Sequence, residues 1–328
     1  MDYQGDYAQF IKIIGDVMTD GIDKSSVVSA KDKWLNLPAN INKLPALKGK
    51  SIDAILALGL PPQAATNVSK KWERIKSMFV WARANGYIAE NFAAGIGIKS
   101  KATVREKFSD GDLKLLFESE EYKTHAFEEA FQFWVPLIAL FSGARLEEIC
   151  QLHLADVKAH EQGHFFHFTT AVDSEAGDIG HTKNLKNDSS DRLCPVHQKL
   201  IDLGLLIYIE SQRDQGYKRL FTELKPDGQG KVSPRVSEWF TEYRKRKGVG
   251  AKSDRSTKVF HSFRHTMIAQ LEQKGVPQDV REKLSGHKSK SITVSVYGST
   301  GLDQRLVSNL AKLQFEIEFT PFKMGAIR

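Results

Sequence analysis

Four separated segments of this chain hold residue types from which catalytic sites are built, and each is ambiguous alone. Phe141–Leu152 reads FSGARLEEICQL. Arg145 and Glu148 are three apart and so share a helical face. An arginine opening an apolar helix, with an acid one turn on, suits an oriented guanidinium. Gly143 permits close backbone approach there. The plain alternative is a surface ion pair, which is common and weak. His181–Pro195 (HTKNLKNDSSDRLCP) carries Lys183 and Lys186. Lysines on a polar hairpin are usually just solvated, yet either one, held beside a phosphate, could donate a proton. Phe260–Leu271 (FHSFRHTMIAQL) spaces His261 and Arg264 on one face, with Met267, Ile268 and Leu271 as its buried side and His265 as a packing residue. Leu284–Gly298 (LSGHKSKSITVSVYG) sets His287 after Gly286 at a turn and Tyr297 ten residues later. A lone tyrosine is seldom a nucleophile, and a lone histidine is more often structural.

These segments need elements to hold them. The first hundred residues read as helices. Ser51–Leu60 is apolar and ends at Pro61-Pro62, a strong break. Over Ala64–Asn85 the spacing of Val68, Trp72, Ile75, Phe79 and Ala82 predicts an amphipathic helix. Lys70, Lys71, Arg74 and Lys76 lie mostly off that stripe, and Gly86 closes it. Asn91–Val104, rich in Gly, Ala and Lys, reads as a linker. Ser109 with Asp112 resembles a capping box that opens a second domain. Beyond it helices dominate, interrupted by a strand near Phe165–Thr170 and an edge strand near Arg192–Val196, with a polar loop between them. The expectation is a mainly α protein: an all-α domain over 1–103, then a mixed, mostly helical domain with a small β-sheet over 104–328.

The bulk composition is that of an ordinary globular protein: 328 residues, 41% hydrophobic and 27% charged, enough to bury a core without disulfides or metals. The net charge of +7 suits an anionic partner such as nucleic acid. Two isolated cysteines, Cys150 and Cys194, support neither a zinc cluster nor a disulfide framework, and point to a reducing cytoplasm. The longest apolar run, FWVPLIALF at Phe133–Phe141, is far short of a membrane span. The polar, acidic start MDYQGDYAQF is no secretory signal.

Taken together, Arg145, a lysine, His261-x-x-Arg264, Gly286-His287 and Tyr297 occur in an order that resembles the catalytic signature of the tyrosine recombinase (phage integrase) family. Gly143–Glu148 and His261–Thr266 are the specific boxes. Ser190–Pro195 looks like the family's Ser-x-Arg-x-x-Pro strand, a register that favours Lys186 over Lys183. One spacing departs from the commonest pattern: ten residues separate His287 from Tyr297 where many members have nine, which implies a longer turn.

The resemblance implies a DNA-cutting and DNA-joining enzyme. Arg145 and Arg264 would hold the phosphate oxygens, Tyr297 would attack, and Lys186 would protonate the leaving 5′ oxygen. His261 would assist phosphate binding or proton transfer, His287 would bind phosphate, and Glu148 would orient the helix carrying Arg145. Neither metal nor nucleotide is implied as a cofactor. A basic run with Arg244, Lys245, Arg246 and Lys247, and the helix with Lys70, Lys71, Arg74 and Lys76, would meet the DNA backbone. The implied partners are double-stranded DNA with specific recombination sites, three further copies in a synaptic tetramer, and a directionality or host DNA-bending factor. The apolar tail Leu306–Phe319 could close the core or dock on a neighbouring subunit, and it is the candidate subunit contact. A cytoplasmic, nucleoid-associated place follows, with a mobile element favoured over chromosome-dimer resolution and little room for a large extra N-terminal arm-site domain. A type IB topoisomerase, with a similar residue set, and a catalytically lapsed architectural DNA-binding protein are the rival readings.

Overall fold

The computed structural model describes residues 3–42, 44–100, 105–171, 183, 185, 190–250, 257–287 and 304–325. They divide into two compact units, Met1–Thr103 and Val104–Arg328.

Among its described residues the first unit holds four α-helices: α1 (Gln4–Ile14), α2 (Lys24–Asn36), α3 (Ile52–Ala57) and α4 (Ala65–Ala84). Local chemistry starts two of them. The Asp23 carboxylate accepts the Ser26 N–H at 2.7 Å ahead of α2, and the Ser51 hydroxyl accepts the Ala54 N–H at 3.2 Å ahead of α3. The stripe Val68, Trp72, Ile75 and Phe79 is the buried face of α4. It meets Phe10 and Trp34 in edge-to-face ring contacts, such as Trp34–Trp72 at 6.4 Å. The expected linker is a correction. Ala93 and Ile96 are buried in this core, and the Trp72 indole N–H donates to the Ile96 carbonyl at 3.0 Å. A stretch without helical period can still be anchored by backbone hydrogen bonds that no pattern displays.

The second unit opens as its capping signal predicts. Ser109 and Asp112 cap α5 (Asp110–Phe117) reciprocally. After α6 (Glu120–Thr124), the apolar run becomes α7 (Ala130–Ser142), every residue of which is buried. Among the described residues no helix is long and apolar enough to cross a membrane. The short α8 (Leu146–Cys150) follows, then a three-residue turn at Leu154–Asp156 and three strands. These are β1 (Val157–His160), β2 (Gly163–Phe168) and β3 (Arg192–Pro195), antiparallel in that order, with Phe168 opposite Arg192. The polar β1 was absent from the sequence expectation because only Val157 of its four residues is buried. Among the described residues, helices α9 (Gln198–Asp202), α10 (Leu205–Asp214), α11 (Pro234–Arg246), α12 (Ser262–Gln273), α13 (Gln278–Ser285) and α14 (Gln304–Leu310) follow. The architecture is mainly α with one small sheet.

At the chain's end the core-closing alternative is the one seen. Leu306, Leu310 and Leu313 are buried in this unit's own core. Phe319 lies 5.5 Å from Phe117, Phe322 lies 5.1 Å from Phe133, and the Phe322 N–H donates to Leu203 at 2.8 Å. This tail closes its own core.

Candidate active site

The end of α7 is where the site begins. Gly143 caps α7 in the left-handed region (φ +61°), and a Cβ there would fall 2.2 Å from the Met267 Cε on α12. The glycine therefore lets α12 close on α7, although it ends one helix rather than starting the next. Its carbonyl accepts from Arg264 Nη1 at 2.8 Å. A cation at the carbonyl end of a helix is favourably placed.

Two residues on, Arg145 stands just before α8, and its pairing with Glu148 is no surface ion pair. Glu148 is 3% exposed and its carboxylate is shared by three donors. It accepts the Arg145 backbone N–H at 3.0 Å, Arg145 Nη1 at 2.6 Å and Arg192 Nη2 at 2.9 Å. Burial alone would raise this carboxyl's pKa, but the charge of Arg192 and the hydrogen bonds from both arginines outweigh it and hold the pKa below the ordinary value. Arg192 and the buried Ser190 belong to the site without having been singled out. Arg145 Nη1 donates to the Ser190 hydroxyl at 2.8 Å. Arg192 donates to the Ser190 and Leu284 carbonyls and lies 4.6 Å over the Phe168 ring. The signal was present in the Ser-x-Arg run, but nothing local pairs residue 192 with residue 148.

Gly286 brings in the last piece. It caps α13 at φ +66°, and a Cβ on it would stand 2.8 Å from Arg192 Nη1. Its carbonyl faces Arg145 Nη2 at 3.4 Å, which sets His287 beside the arginines. The His287 Nδ1 shares a hydrogen bond of 3.1 Å with the Ser285 hydroxyl. His261 precedes α12, its ring 5.0 Å from that of His265.

The electrostatics report how tightly these cations are gathered. Desolvation, then the charges of His265, Arg264, Arg145 and His287, lowers His261 to about 4. His287 and His265 shift the same way, through burial and then Arg264. Arg264, only 1% exposed, is pushed down to about 9 by burial and by Arg145 and Arg192. Its Nη2 is buried without a hydrogen-bond partner among the described residues. Such a donor is costly to leave unmatched.

Arg145, Glu148, His261, Arg264 and His287 are brought together. Lys186 and Tyr297 lie outside the described residues. Lys183, the other lysine, is buried, with its Nζ 2.7 Å from both Asp156 carboxylate oxygens. Of the cations expected at the DNA backbone, Arg244 is turned inward, 3% exposed and bonded to the Val249 carbonyl at 3.1 Å. It falls on the buried stripe Val236, Phe240, Tyr243 of α11, which its charge concealed. Lys247 pairs with Glu121, and Lys245 with Glu242 at 3.0 Å. Arg246 is mostly exposed, 4.0 Å from Glu121. On α4, Arg74 pairs with Asp6 and Lys76 with Glu73, whereas Lys70 and Lys71 have no ion pair among the described residues.

The model of the phage integrase family matches residues 113–300, more than half of the sequence. The chain belongs to the phage integrase family. It is a site-specific recombinase of the tyrosine type. No curated protein matches the sequence of this integrase. Solved structures share its fold. A lambda integrase dimer bound to a COC' core site is 16% identical with a TM-score of 0.54, over 92% of this chain and 89% of that one. A lambda integrase tetramer bound to a Holliday junction is 16% identical with a TM-score of 0.55, over 90% and 69%. The Tn1549 transposon integrase in complex with transposon right end DNA is 14% identical with a TM-score of 0.54, over 91% and 89%. At these identities the integrase shares their architecture, and its chemistry rests on its own residues.

Proposed function

We propose that this integrase cuts and rejoins duplex DNA at specific sites of a mobile element through a 3′-phosphotyrosyl intermediate on Tyr297. The observation that carries the reading is the gathering of Arg145, Arg264, His261 and His287, with the buried Arg264 Nη2 lacking a partner among the described residues. A scissile phosphate supplies the missing negative charge and an acceptor for that donor. Planar guanidinium groups match phosphate oxygens in pairs and stay charged. In the transition state they offset the growing charge on the non-bridging oxygens.

The chemistry then balances without further reactants. The Tyr297 oxygen bonds to phosphorus and gives up its proton, for which the neutral imidazole of His261 is an acceptor. The bond from phosphorus to the 5′ oxygen breaks, its electron pair stays on that oxygen, and Lys186 delivers a proton there. Rejoining runs the same steps backwards with a 5′ hydroxyl from another strand. Four copies on two sites complete the exchange, an assembly supported by the fold shared with the lambda integrase tetramer on its junction.

The test is covalent capture from a randomised, nicked duplex library on the full chain, followed by sequencing of the trapped DNA. A core sequence joined through its 3′ phosphate to Tyr297 is the expected result. Tyr297→Phe should bind the selected duplex and form no adduct. Adducts that persist in that variant would sink the assignment. Relaxation of a plasmid lacking the selected sequence would instead indicate topoisomerase action.

A further inference from the structure

Two arginines share the Glu148 carboxylate, and they are not equivalent. The Arg145 side chain is 18% exposed and open to a ligand, whereas that of Arg192 is 5% exposed. The Arg192 guanidinium is engaged along three directions. Its Nε donates to the Leu284 carbonyl at 3.0 Å, Nη1 to the Ser190 carbonyl at 2.9 Å and Nη2 to Glu148 at 2.9 Å. The Phe168 ring lies against its face, 4.6 Å away. A rigid planar fork held at three edges fixes direction as well as distance. Its acceptors come from α8, from the residue two before it and from the last turn of α13.

Arg145 is held by the same three segments. Its Nη1 donates to Glu148 at 2.6 Å and to the Ser190 hydroxyl at 2.8 Å, and its Nη2 is 3.4 Å from the Gly286 carbonyl. Glu148 and Ser190 are thus shared between the two arginines, and Gly286 stands two residues beyond the Leu284 carbonyl that Arg192 holds. The fit at α13 is close. A Cβ on Gly286 would stand 2.8 Å from Arg192 Nη1 and 3.1 Å from its Cζ, so glycine is what lets the guanidinium seat there.

We propose that Arg192 is a positioning residue, whose hydrogen bonds lock Glu148, Ser190 and the end of α13 into the frame that aims the Arg145 guanidinium at the scissile phosphate. The proposal rests on Arg145 binding that phosphate in the function proposed above.

The experiment measures cleavage by the full chain of the duplex selected by covalent capture. The duplex is made in its ordinary form and with a methyl group replacing one non-bridging oxygen of the scissile phosphate. The methylated phosphate is neutral, so a guanidinium has less charge to stabilise and defects in aiming one are relieved. A defect in folding gains nothing from the change. Arg145→Ala should lose about 10²–10³-fold on the ordinary duplex and recover most of it on the neutral one. Arg192→Met should lose about 10–100-fold, the scale of misplacing a group by about an ångström, and recover likewise. The double variant should cleave the ordinary duplex within about threefold of Arg145→Ala alone, because both changes remove one function. Wild-type cleavage by Arg192→Met, or a loss that persists on the neutral duplex, would overturn the proposal. So would recovery combined with additive losses, which would make Arg192 a phosphate ligand in its own right. Should Arg192→Met not fold by thermal melting, Arg192→Lys decides on the same criteria, since it keeps a charge for Glu148 but cannot span all three acceptors. A fully active Arg145→Ala would identify the failure as that of the underlying phosphate assignment, and this proposal would fall with it.

Discussion

Arg264 and Lys70 are both cations expected at DNA, and their surroundings differ in nearly every respect. Arg264 is buried, crowded by Arg145 and Arg192, and tied to a helix-end carbonyl. Lys70 stands exposed on α4, without an ion pair among the described residues. Gathering like charges in a dry place is costly, and Glu148 offsets the cost with one carboxylate shared by two guanidinium groups. Such a cluster is preorganised for a single anion at a fixed point. An exposed lysine instead adds to a diffuse field that any phosphate can feel. On the function proposed above, the contrast would separate residues that stabilise a transition state from residues that hold on to DNA.

The largest effect should come from Arg264→Lys. It keeps the charge but loses the planar fork, and cleavage of the selected duplex should fall about 10²–10³-fold, the range for losing one such donor. Binding of the duplex, followed by fluorescence anisotropy, should change little. Cleavage within tenfold of the wild type would erase the distinction between the two kinds of cation. Glu148→Gln comes next. Removing the charge between two arginines should cost about 3 kcal/mol of stability at pH 7, the lower end for breaking a buried pair. Because the folded pKa of Glu148 is depressed, its stabilisation is present above the ordinary carboxylate value and is lost as pH falls through the folded one. Urea melts at pH 7 and at pH 3.5 should therefore show the variant's deficit shrinking in acid. An equal deficit at both values would contradict the role of Glu148 as the charge that holds the cluster.

The histidines sharpen the comparison through opposite signs. His261 is lowered to about 4 in the folded protein, below its ordinary 6.5. Stability from this group is full above 6.5 and lost as pH falls towards 4. A bound phosphate adds a negative charge beside His261 and raises its pKa from about 4, so binding takes up a proton in mildly acidic solution, whereas at pH 7 the imidazole stays neutral and open to the Tyr297 proton. Affinity for the selected duplex should rise between pH 7 and pH 5.5 while thermal stability falls over the same interval. His261→Gln should flatten the rise. Affinity that weakens together with stability would mean that the phosphate does not sit against this histidine.

What was legible beforehand follows one physical line. The Ser109 cap, the α4 stripe and the turn at Gly286 are local, and spacing alone discloses them. The order of the arginine and histidine boxes pointed to one site through its resemblance to the tyrosine recombinase signature, since nothing local to any box discloses the others. Features made by distant partners were not legible. A surface ion pair remained an open reading of Arg145 and Glu148 because the acid's second partner, Arg192, is forty-four positions away. Arg244 read as a DNA contact because charge was weighed above its place on a buried stripe. The burial of Lys183 was not legible because its partner, Asp156, stands twenty-seven positions earlier.

The smallest effect tests the other side of the comparison. If Lys70 contributes only to a diffuse field, Lys70→Gln should weaken binding of selected and unrelated duplexes alike. One phosphate contact fewer should reduce the slope of log affinity against log salt by about 0.9. Cleavage of duplex already bound should be unchanged, because the charge is removed from binding and not from the reacting phosphate. Lys76→Gln, whose charge is already opposed by Glu73, should change the slope less. A loss confined to the selected sequence would instead place Lys70 at a base edge, where it would read sequence as well as charge.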